Sequence, residues 1–269
     1  MIDYYARIAP FLLPHMADRA MTRRRFPDGV EGGSFYEKNC PKHRPAWMGI
    51  HPVEGEDGPI TFCRLDSVPA LIWSANAAAL ELHAPMARAA DPESPTLVVF
   101  DLDPGAPADI LDCAEVGLWV RHVLADLGLE CVAKTSGSKG LQVYLPLNTP
   151  ATHAGAADFA RTIAQVMEQQ HPDRVVSQQR KTLREGKVLI DWSQNARHKT
   201  TACVYTLRAR PRPTASTPVT WDEVEAALDA GDREALTFEA PEVLDRVADL
   251  GDLWAPALEL RQALPHLGG

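Results

Sequence analysis

Two aspartates separated by one residue, Asp101 and Asp103, follow an apolar run at residues 97–100. The run is rich in β-branched and aromatic residues and predicts a buried strand. Because side chains alternate faces along a strand, both carboxylates should point the same way, and Leu102 should point to the other side. Carboxylate oxygens are ligands that hard divalent cations prefer. The pair is therefore a candidate metal site; the alternative is a strand that ends in an acidic turn.

A third aspartate, Asp191, ends a second β-branched segment at residues 188–191. Brought beside Asp101 and Asp103, it would complete a carboxylate set for two metal ions. Basic residues flank these strand ends, in the turn at residues 180–187 and at positions 208 and 210. Acids that hold metal, surrounded by bases that hold phosphate, form the arrangement that nucleotidyl transfer requires.

A Gly/Ser-rich turn at residues 135–140 is a candidate phosphate cradle. It connects two predicted strands, exposes backbone N–H groups and carries Lys139, the features from which phosphate sites are built. It is not a P-loop, which needs a different spacing and a following helix. The alternative is an ordinary hairpin turn.

Basic and aromatic residues near the N-terminus form a further candidate region. Three arginines at residues 23–25 can line an anionic ligand, or they form a solvated basic face. Phe35 and Tyr36 follow a glycine pair and can stack on bases, although core packing is the usual role of such residues. His83 ends a predicted helix, where a histidine either caps the helix or contacts a ligand.

Apolar periodicity predicts the elements that position these residues. Helices alternate with β-branched strands, which indicates a mixed α/β fold. The predicted helices cover residues 3–19, 67–83, 109–128 and 152–170, and an acidic helical tail begins at 221. The other predicted strands cover residues 129–134, 141–147 and 200–205.

Composition limits the classes of protein. The 269 residues are 45% hydrophobic and 23% charged, which is ordinary for a globular protein. The net charge of -9 argues against bulk electrostatic binding of nucleic acid but allows a local basic cleft. Five scattered cysteines without a C-x-x-C pair favour a reduced cytoplasmic compartment, and Cys40 with His43 is not expected to bind zinc. No membrane association is expected, since no apolar run is long enough to span a bilayer.

Several motifs together resemble the polymerase domain of bacterial DNA ligase D, a member of the archaeo-eukaryotic primase superfamily. The main matches are residues 100–105, 135–141, 188–195 and 199–201. Further matches at residues 4–5, 25–30, 35–38, 79–83 and 205–208 keep the same order and extend the resemblance over nearly the whole chain.

The resemblance implies a primase-polymerase core of two fused α/β modules with the active cleft between their sheets. On this basis we expect an N-terminal module over residues 1–95, a catalytic module over residues 96–215 and a tail over residues 216–269. The implied activity is template-guided addition of nucleotides, often ribonucleotides, to a primer 3′ end at DNA breaks or short gaps. Two Mn²⁺ ions, or Mg²⁺, are the implied cofactors.

The resemblance also implies roles for individual residues. Asp101 and Asp103 would hold both metal ions, and Asp191 would hold the ion that activates the primer 3′-hydroxyl. Phe35 and Tyr36 match an aromatic pair that stacks on bases. The remaining matches fall where the family contacts the incoming nucleotide: Arg24 (at a family lysine position), His83, Ser136, Lys139, Arg184 and Arg208.

Three departures from the family pattern shape further expectations. Gln142 stands where many members have histidine, so we expect altered base or sugar selection. The family's N-terminal lysines for a 5′-phosphate have no counterpart in this sequence, so Arg7 or residues 23–25 would have to replace them. Because the sequence shows no ligase or nuclease motifs, the expected partners are DNA ends or primer-templates, NTP or dNTP, Ku and a separate ATP-dependent ligase, in a nucleoid-associated cytoplasmic setting.

Two other functions remain open from the sequence. A haloacid dehalogenase-type phosphohydrolase also carries an Asp-x-Asp motif after a strand, but Gly105 stands where that family has Thr or Val. A non-catalytic DNA-end-binding module is the other alternative, and the retention of all three aspartates argues against it.

Overall fold

The computed structural model describes residues 1–55 and 58–265. Within these ranges the chain forms seven α-helices and twelve β-strands. The helices are α1 (Ile2–Met16), α2 (Val68–Asn76), α3 (Ile110–Asp126), α4 (His153–Gln170), α5 (Trp221–Ala230), α6 (Ala240–Leu250) and α7 (Pro256–Glu259).

The strands fall into three sheets in the described part of the chain. They are β1 (Thr22–Arg25), β2 (Phe35–Glu37), β3 (Ile50–Gly55), β4 (Gly58–Cys63), β5 (Ala79–Ala84), β6 (Leu97–Pro104), β7 (Val132–Thr135), β8 (Leu141–Pro146), β9 (Val175–Val176), β10 (Val188–Asp191), β11 (Thr201–Ala202) and β12 (Pro218–Val219).

The larger sheet has the order β12-β7-β8-β6-β10-β9. The central strand β6 pairs antiparallel with β8 on one side and with β10 on the other. Helices α3 and α4 cover one face, where Phe100 and Leu102 are fully buried. Because side chains alternate along β6, the opposite face carries the aspartates.

The smaller sheet has the order β11-β5-β1-β2, and helices α1 and α2 contribute to the core beneath it. The Tyr5 hydroxyl donates to the Leu80 carbonyl at 2.7 Å and so joins α1 to β5. Strand β1 places Arg24 opposite both Tyr36 and Glu81, so these three side chains share one face of the sheet. The mixed α/β architecture predicted from the sequence is confirmed.

Three arginines in β1 do not act as one basic patch. Arg23 is buried beneath the sheet, where it contacts Glu37 at 2.7 Å and lies over the Trp73 ring. Arg25 also pairs with Glu37, at 3.0 Å. Alternation along the strand leaves Arg24 on the opposite face.

The predicted helix over residues 67–83 is wrong in its second half. Helix α2 ends at Asn76, and Ala78 adopts a φ of +60°, which turns the chain into β5. The Ala/Leu-rich sequence hides this boundary because it suits either a buried helix or a buried strand. His83 therefore lies on a strand, paired in register with Thr22 and Ala202.

Other boundaries differ less. The predicted strand over residues 200–205 is reduced to Thr201–Ala202, and this short strand pairs with β5 of the smaller sheet. Cys40 and Cys63 form a disulfide beside the β3–β4 hairpin, which the expectation of a reduced compartment does not predict. Among the described helices, none combines the length and the apolar character needed to cross a bilayer. The division into two modules and a tail stays a prediction.

Candidate active site

The three aspartates meet at the edge of two neighbouring strands. The pairing of β6 with β10 sets Asp191 directly opposite Asp101, and Asp103 lies two residues further on the same face of β6. One carboxylate oxygen of each residue lies within 4.8 Å of the others. The fully buried Leu102 points to the opposite face, as alternation predicts.

Burial and mutual repulsion both disfavour ionisation in this cluster. Burial, together with the neighbouring charge of Asp103, raises the pKa of Asp101 to about 7. Burial and the charge of Asp191 raise the pKa of Asp103 as well. Like charges held this close disfavour ionisation, and a divalent cation relieves the repulsion. Three hard oxygen donors at this spacing fit Mg²⁺ or Mn²⁺.

Hydrogen bonds fix the orientation of Asp191. Its Oδ1 accepts from the Ser193 backbone N–H at 3.0 Å and from the Ser193 hydroxyl at 2.6 Å. The amide nitrogens of two glutamines donate to the same carboxylate, that of Gln179 to Oδ1 and that of Gln194 to Oδ2. Asp101 receives one such donor, the Gln142 amide at 2.9 Å.

The basic turn before β10 is held against the end of β6. The Gly105 N–H donates to the Lys187 carbonyl at 2.8 Å, and a Cβ at Gly105 would lie 1.8 Å from the Arg184 carbonyl oxygen. This close approach requires glycine. The Arg184 guanidinium donates to the side-chain oxygen of Gln179 at 2.9 Å, and Gln179 in turn contacts Asp191. Arg184 is thereby placed next to the aspartates.

The Gly/Ser-rich turn is a hairpin between β7 and β8. The Ser136 hydroxyl oxygen accepts the N–H groups of Ser138 and Gly140, each at 3.2 Å. Arg208 donates to the Ser136 carbonyl at 2.6 Å and so ties the hairpin to the chain segment after β11. Lys139 projects from this hairpin into the same cavity as Asp101.

Glu81, which the sequence analysis did not single out, organises the cations on the opposing sheet. Its carboxylate accepts from His83 Nε2 at 2.9 Å and lies 3.4 Å from both Arg24 and Arg208. The Ala209 N–H donates to it at 2.9 Å. Burial alone would raise the pKa of Glu81, but the His83 hydrogen bond and the Arg208 charge outweigh burial and lower it to about 2.

His83 is oriented by this contact. Burial lowers the pKa of His83 below its ordinary value, which favours the neutral ring. Because Nε2 faces a carboxylate, the proton of the neutral ring lies on Nε2. The Tyr36 ring packs edge-on against the His83 ring, with centroids 5.4 Å apart.

A cavity of about 580 Å³ lies between the two sheets and joins these groups. Eight of the eleven predicted site residues line it: Tyr36, His83, Asp101, Asp103, Ser136, Lys139, Arg184 and Arg208. Arg24 reaches the cavity wall through Glu81 and through the Tyr36 ring, 5.5 Å away. Asp191 stands beside Asp101 and Asp103.

Phe35 is the predicted residue that the structure separates from the others. Neighbouring residues of β2 face opposite sides of the sheet, so Tyr36 lies over Arg24 while Phe35 lies under Arg25, 5.3 Å from its guanidinium carbon. Both rings are well exposed, at 45% for Phe35 and 58% for Tyr36. They form two separate aromatic surfaces.

Comparison with known proteins identifies the family. A model of the LigD primase-polymerase domain matches residues 1–254 of the chain. The chain belongs to the LigD primase-polymerase domain family. Its fold matches the polymerase domain of Mycobacterium tuberculosis Ligase D, solved in complex with DNA, at a TM-score of 0.88 and 40% identity over 96% of this chain and 90% of that one.

Curated relatives extend well beyond this domain. The chain is 41% identical over 258 residues to the multifunctional non-homologous end joining protein LigD of Mycolicibacterium smegmatis, covering 95% of this chain and 33% of that protein. It is 43% identical over 261 residues to the LigD protein of Mycobacterium tuberculosis, covering 94% of this chain and 34% of that protein. The chain thus spans about one third of the length of the curated relatives that it matches. The family and the fold leave the haloacid dehalogenase-type hydrolase without support.

Four residues at or beside this candidate site were not predicted from the sequence: Glu81, Lys134, Gln179 and Gln194. Glu81 could have been found once β5 was recognised, because it shares a strand face with His83. Lys134 lies directly opposite Gln142 in the β7–β8 hairpin. Gln179 lies in a segment without a regular pattern, so nothing in the sequence pointed to it.

Proposed function

We propose that this chain is a template-dependent nucleotidyltransferase that adds nucleotides, including ribonucleotides, to a primer 3′ end at DNA breaks or short gaps during non-homologous end joining. The observation that carries the proposal is the cavity between the sheets, where three carboxylates on the larger sheet are surrounded by cations from both sides. Acidic metal ligands facing phosphate-binding cations are the arrangement that nucleotidyl transfer needs.

Asp101, Asp103 and Asp191 are the residues that would hold the metal ions. Asp101 and Asp103 would contact both, and Asp191 would contact the one beside the primer 3′-hydroxyl. Bound there, Mn²⁺ or Mg²⁺ would supply neutralisation of negative charge on the attacking and leaving oxygens. The mutual repulsion of the three carboxylates supports this assignment, because a cation relieves it.

Cationic and hydroxyl groups on both sides of the cavity would bind the incoming nucleotide. Arg184 and Arg208 present planar guanidinium groups that match phosphate oxygens in pairs, whereas Lys139 adds a point charge. Ser136 from the larger sheet and the neutral His83 from the smaller sheet add hydrogen bonds in the same cavity. Arg24, held by Glu81, completes the positive rim. Fixed cations of this kind stabilise charge that develops on the phosphates during transfer.

DNA would lie against the exposed aromatic residues. Tyr36 projects beside the cavity and can stack on a template or nucleotide base. Phe35, on the opposite face of β2, would contact a different base of the same substrate. The polymerase domain of Mycobacterium tuberculosis Ligase D, solved with DNA, supports a DNA substrate. A net charge of -9 is compatible with DNA binding because cations are concentrated around the cavity.

Other components of end joining would come from partners. The names of the curated relatives place them in non-homologous end joining. We propose that Ku brings this domain to DNA ends, that an ATP-dependent ligase seals them, and that the protein acts at the nucleoid in the cytoplasm.

The proposed activity is tested by primer extension on a templated end, with Mn²⁺ or Mg²⁺ and with NTP or dNTP. We expect extension that needs metal, is stronger with Mn²⁺ and accepts ribonucleotides. The D101A/D103A double variant should retain DNA binding and lose extension. If wild-type protein binds DNA but never extends the primer with either metal, the polymerase function is wrong and the end-binding module is favoured.

A further inference from the structure

Four polar side chains form a row across the larger sheet on the cavity side. Strand pairing sets Lys134 opposite Gln142, Gln142 opposite Asp101, and Asp101 opposite Asp191. Directly opposed residues of antiparallel strands point to the same face. The row therefore connects the buried interior of β7 to the carboxylate cluster.

The side chain of Lys134 is buried, at 1% exposed, and burial lowers its pKa to about 7. Its amino group contacts three acceptors, a number that favours the ammonium form. Its Nζ donates to the Gln142 side-chain oxygen, to the Ala202 carbonyl at 3.0 Å and to the Ser216 hydroxyl at 2.7 Å. The Ser216 hydroxyl donates its own proton to the Thr135 carbonyl at 2.8 Å, so it accepts from Lys134. An ammonium group has three donors, and all three are used.

Lys134 thereby fixes the direction of the Gln142 amide. The Gln142 oxygen faces the Lys134 ammonium, and its nitrogen donates to Asp101 Oδ1 at 2.9 Å. Rotating the amide by half a turn would set nitrogen against ammonium and oxygen against carboxylate, which costs both hydrogen bonds. Gln142 is 3% exposed, so water cannot replace the lost hydrogen bonds.

We propose that Lys134 and Gln142 are positioning residues that hold the Asp101 carboxylate in the orientation in which it binds a divalent cation. Lys134 orients Gln142, and Gln142 occupies Oδ1 of Asp101 so that the carboxylate keeps one rotamer. Partners of metal ligands commonly contribute 10- to 100-fold to metal affinity in this way. The inference rests on the proposed function, because it requires that Asp101 is a metal ligand.

The test is Mn²⁺ binding by the nucleotide-free chain, measured by the electron paramagnetic resonance signal of unbound Mn²⁺. Gln142→Met keeps the length of the side chain and removes both hydrogen bonds. We expect a dissociation constant about 10- to 100-fold weaker than that of the wild type. Lys134→Met should weaken binding in the same direction, and the double variant should bind no more weakly than the weaker single variant, because both act through one contact.

Ser216→Ala is the matched control, since it removes one acceptor from Lys134 and leaves the contact of Lys134 with Gln142 in place. Its Mn²⁺ affinity should stay within about twofold of the wild type. Circular dichroism and the unfolding midpoint establish that each variant is folded, and Gln142→Met carries the test alone if Lys134→Met does not fold.

Three results would overturn the inference: unchanged Mn²⁺ affinity in folded Gln142→Met, equal loss in Ser216→Ala and Lys134→Met, or additive losses in the double variant. If the wild type extends primers while Gln142→Met binds Mn²⁺ normally, the inference alone is wrong. If the wild type neither binds Mn²⁺ nor extends primers, the proposed function is wrong and the inference fails with it.

Discussion

At Glu81, one buried carboxylate contacts three side chains that the proposed reaction uses to bind a nucleotide: Arg24, His83 and Arg208. Its charge offsets those of Arg24 and Arg208, so the two guanidinium groups can be held close together beside the neutral His83 before a triphosphate arrives. Such preorganisation lowers the cost of ordering the site during binding.

Glu81→Gln should lower the stability of the protein in a pH-dependent way. At pH 7 we expect a loss of about 3 kcal/mol in the free energy of unfolding, because a buried ion pair loses one partner. The pKa of Glu81 is lowered from 4.5 to about 2 in the folded protein. Its carboxylate therefore stabilises the fold fully above pH 4.5, and this stabilisation disappears as the pH falls towards about 2.

Urea denaturation at pH 7, 5 and 3 measures this effect. The difference between wild type and Glu81→Gln should be equal at pH 7 and 5 and smaller at pH 3. Glu225→Gln, which breaks the exposed pair with Arg121, is the control and should change stability by less than about 1 kcal/mol. A difference for Glu81→Gln that does not depend on pH would contradict the ionised Glu81.

Arg208→Lys tests the directional role of the guanidinium group. Arg208 bridges Glu81 and the Ser136 carbonyl, and lysine cannot make both contacts while presenting a fork to phosphate. We expect the KM for the nucleotide to rise about tenfold, equivalent to roughly 1.4 kcal/mol of binding, with little change in DNA affinity. Steady-state extension kinetics measure this, with Arg121→Lys as a surface control; an unchanged KM would show that Arg208 does not contact the nucleotide.

The site residues differ in how well their positions could be predicted from the sequence alone. Alternation along a strand was enough to place Asp101 and Asp103 together. Asp191 needed the pairing of β6 with β10, which the sequence suggests only by the similar strand ends. Glu81 was missed because its strand was predicted as a helix, and because Arg24 and Arg208 come from distant segments of the chain.

At the scale of elements, close contacts between strands and turns set the geometry of the cavity. The β7–β8 hairpin lies so close to β6 that a Cβ at Gly140 would be 2.0 Å from the Leu102 carbonyl oxygen. Glycine is needed at this position because there is no room for a Cβ atom. The hairpin in turn carries Ser136 and Lys139, so its position determines where a phosphate would bind.

Gly140→Ala should therefore displace the hairpin from β6. We expect a loss of about 3 kcal/mol in the free energy of unfolding from overpacking, together with a higher KM for the nucleotide. Gly33→Ala is the matched control, because a Cβ there meets nothing within 4 Å. Thermal denaturation and extension kinetics measure the two effects; wild-type behaviour of Gly140→Ala would contradict the close contact.

Element boundaries were predictable where polar residues mark them. Asp109 caps α3 and Thr152 caps α4, and both helices agree with the prediction to within about two residues. The α2–β5 boundary was not predictable, because residues 70–82 contain few polar residues and no glycine or proline to mark the change from helix to strand.

At the scale of the whole molecule, two sheets face each other across one cavity, with the acids on the larger sheet and cations on both sides. This juxtaposition was not derivable from periodicity. The short strand β11 adds residues from after β10 to the smaller sheet, a long-range pairing that local sequence does not encode. The cleft between two sheets was predicted only from the resemblance of the ordered motifs to the polymerase domain of ligase D.

The carboxylate cluster should make stability depend on metal. A raised pKa means that ionisation of Asp101 opposes folding, so the metal-free protein should lose stability as the pH rises from about 4 towards 7. Mn²⁺ should raise the unfolding temperature at pH 7 by binding the native state. The D101N/D103N variant should be more stable than the metal-free wild type and show no such shift, as measured by calorimetry; an equal Mn²⁺ shift in that variant would place the metal elsewhere.

Templated incorporation of a single nucleotide tests the central claim most directly. Four primer-templates that differ only in the first templating base are each offered all four nucleotides separately, with Mn²⁺ present. The account predicts that each templating base directs its complement and that D101A/D103A incorporates none while still binding the same DNA. Incorporation that ignores the template, or that persists in the double variant, would contradict it.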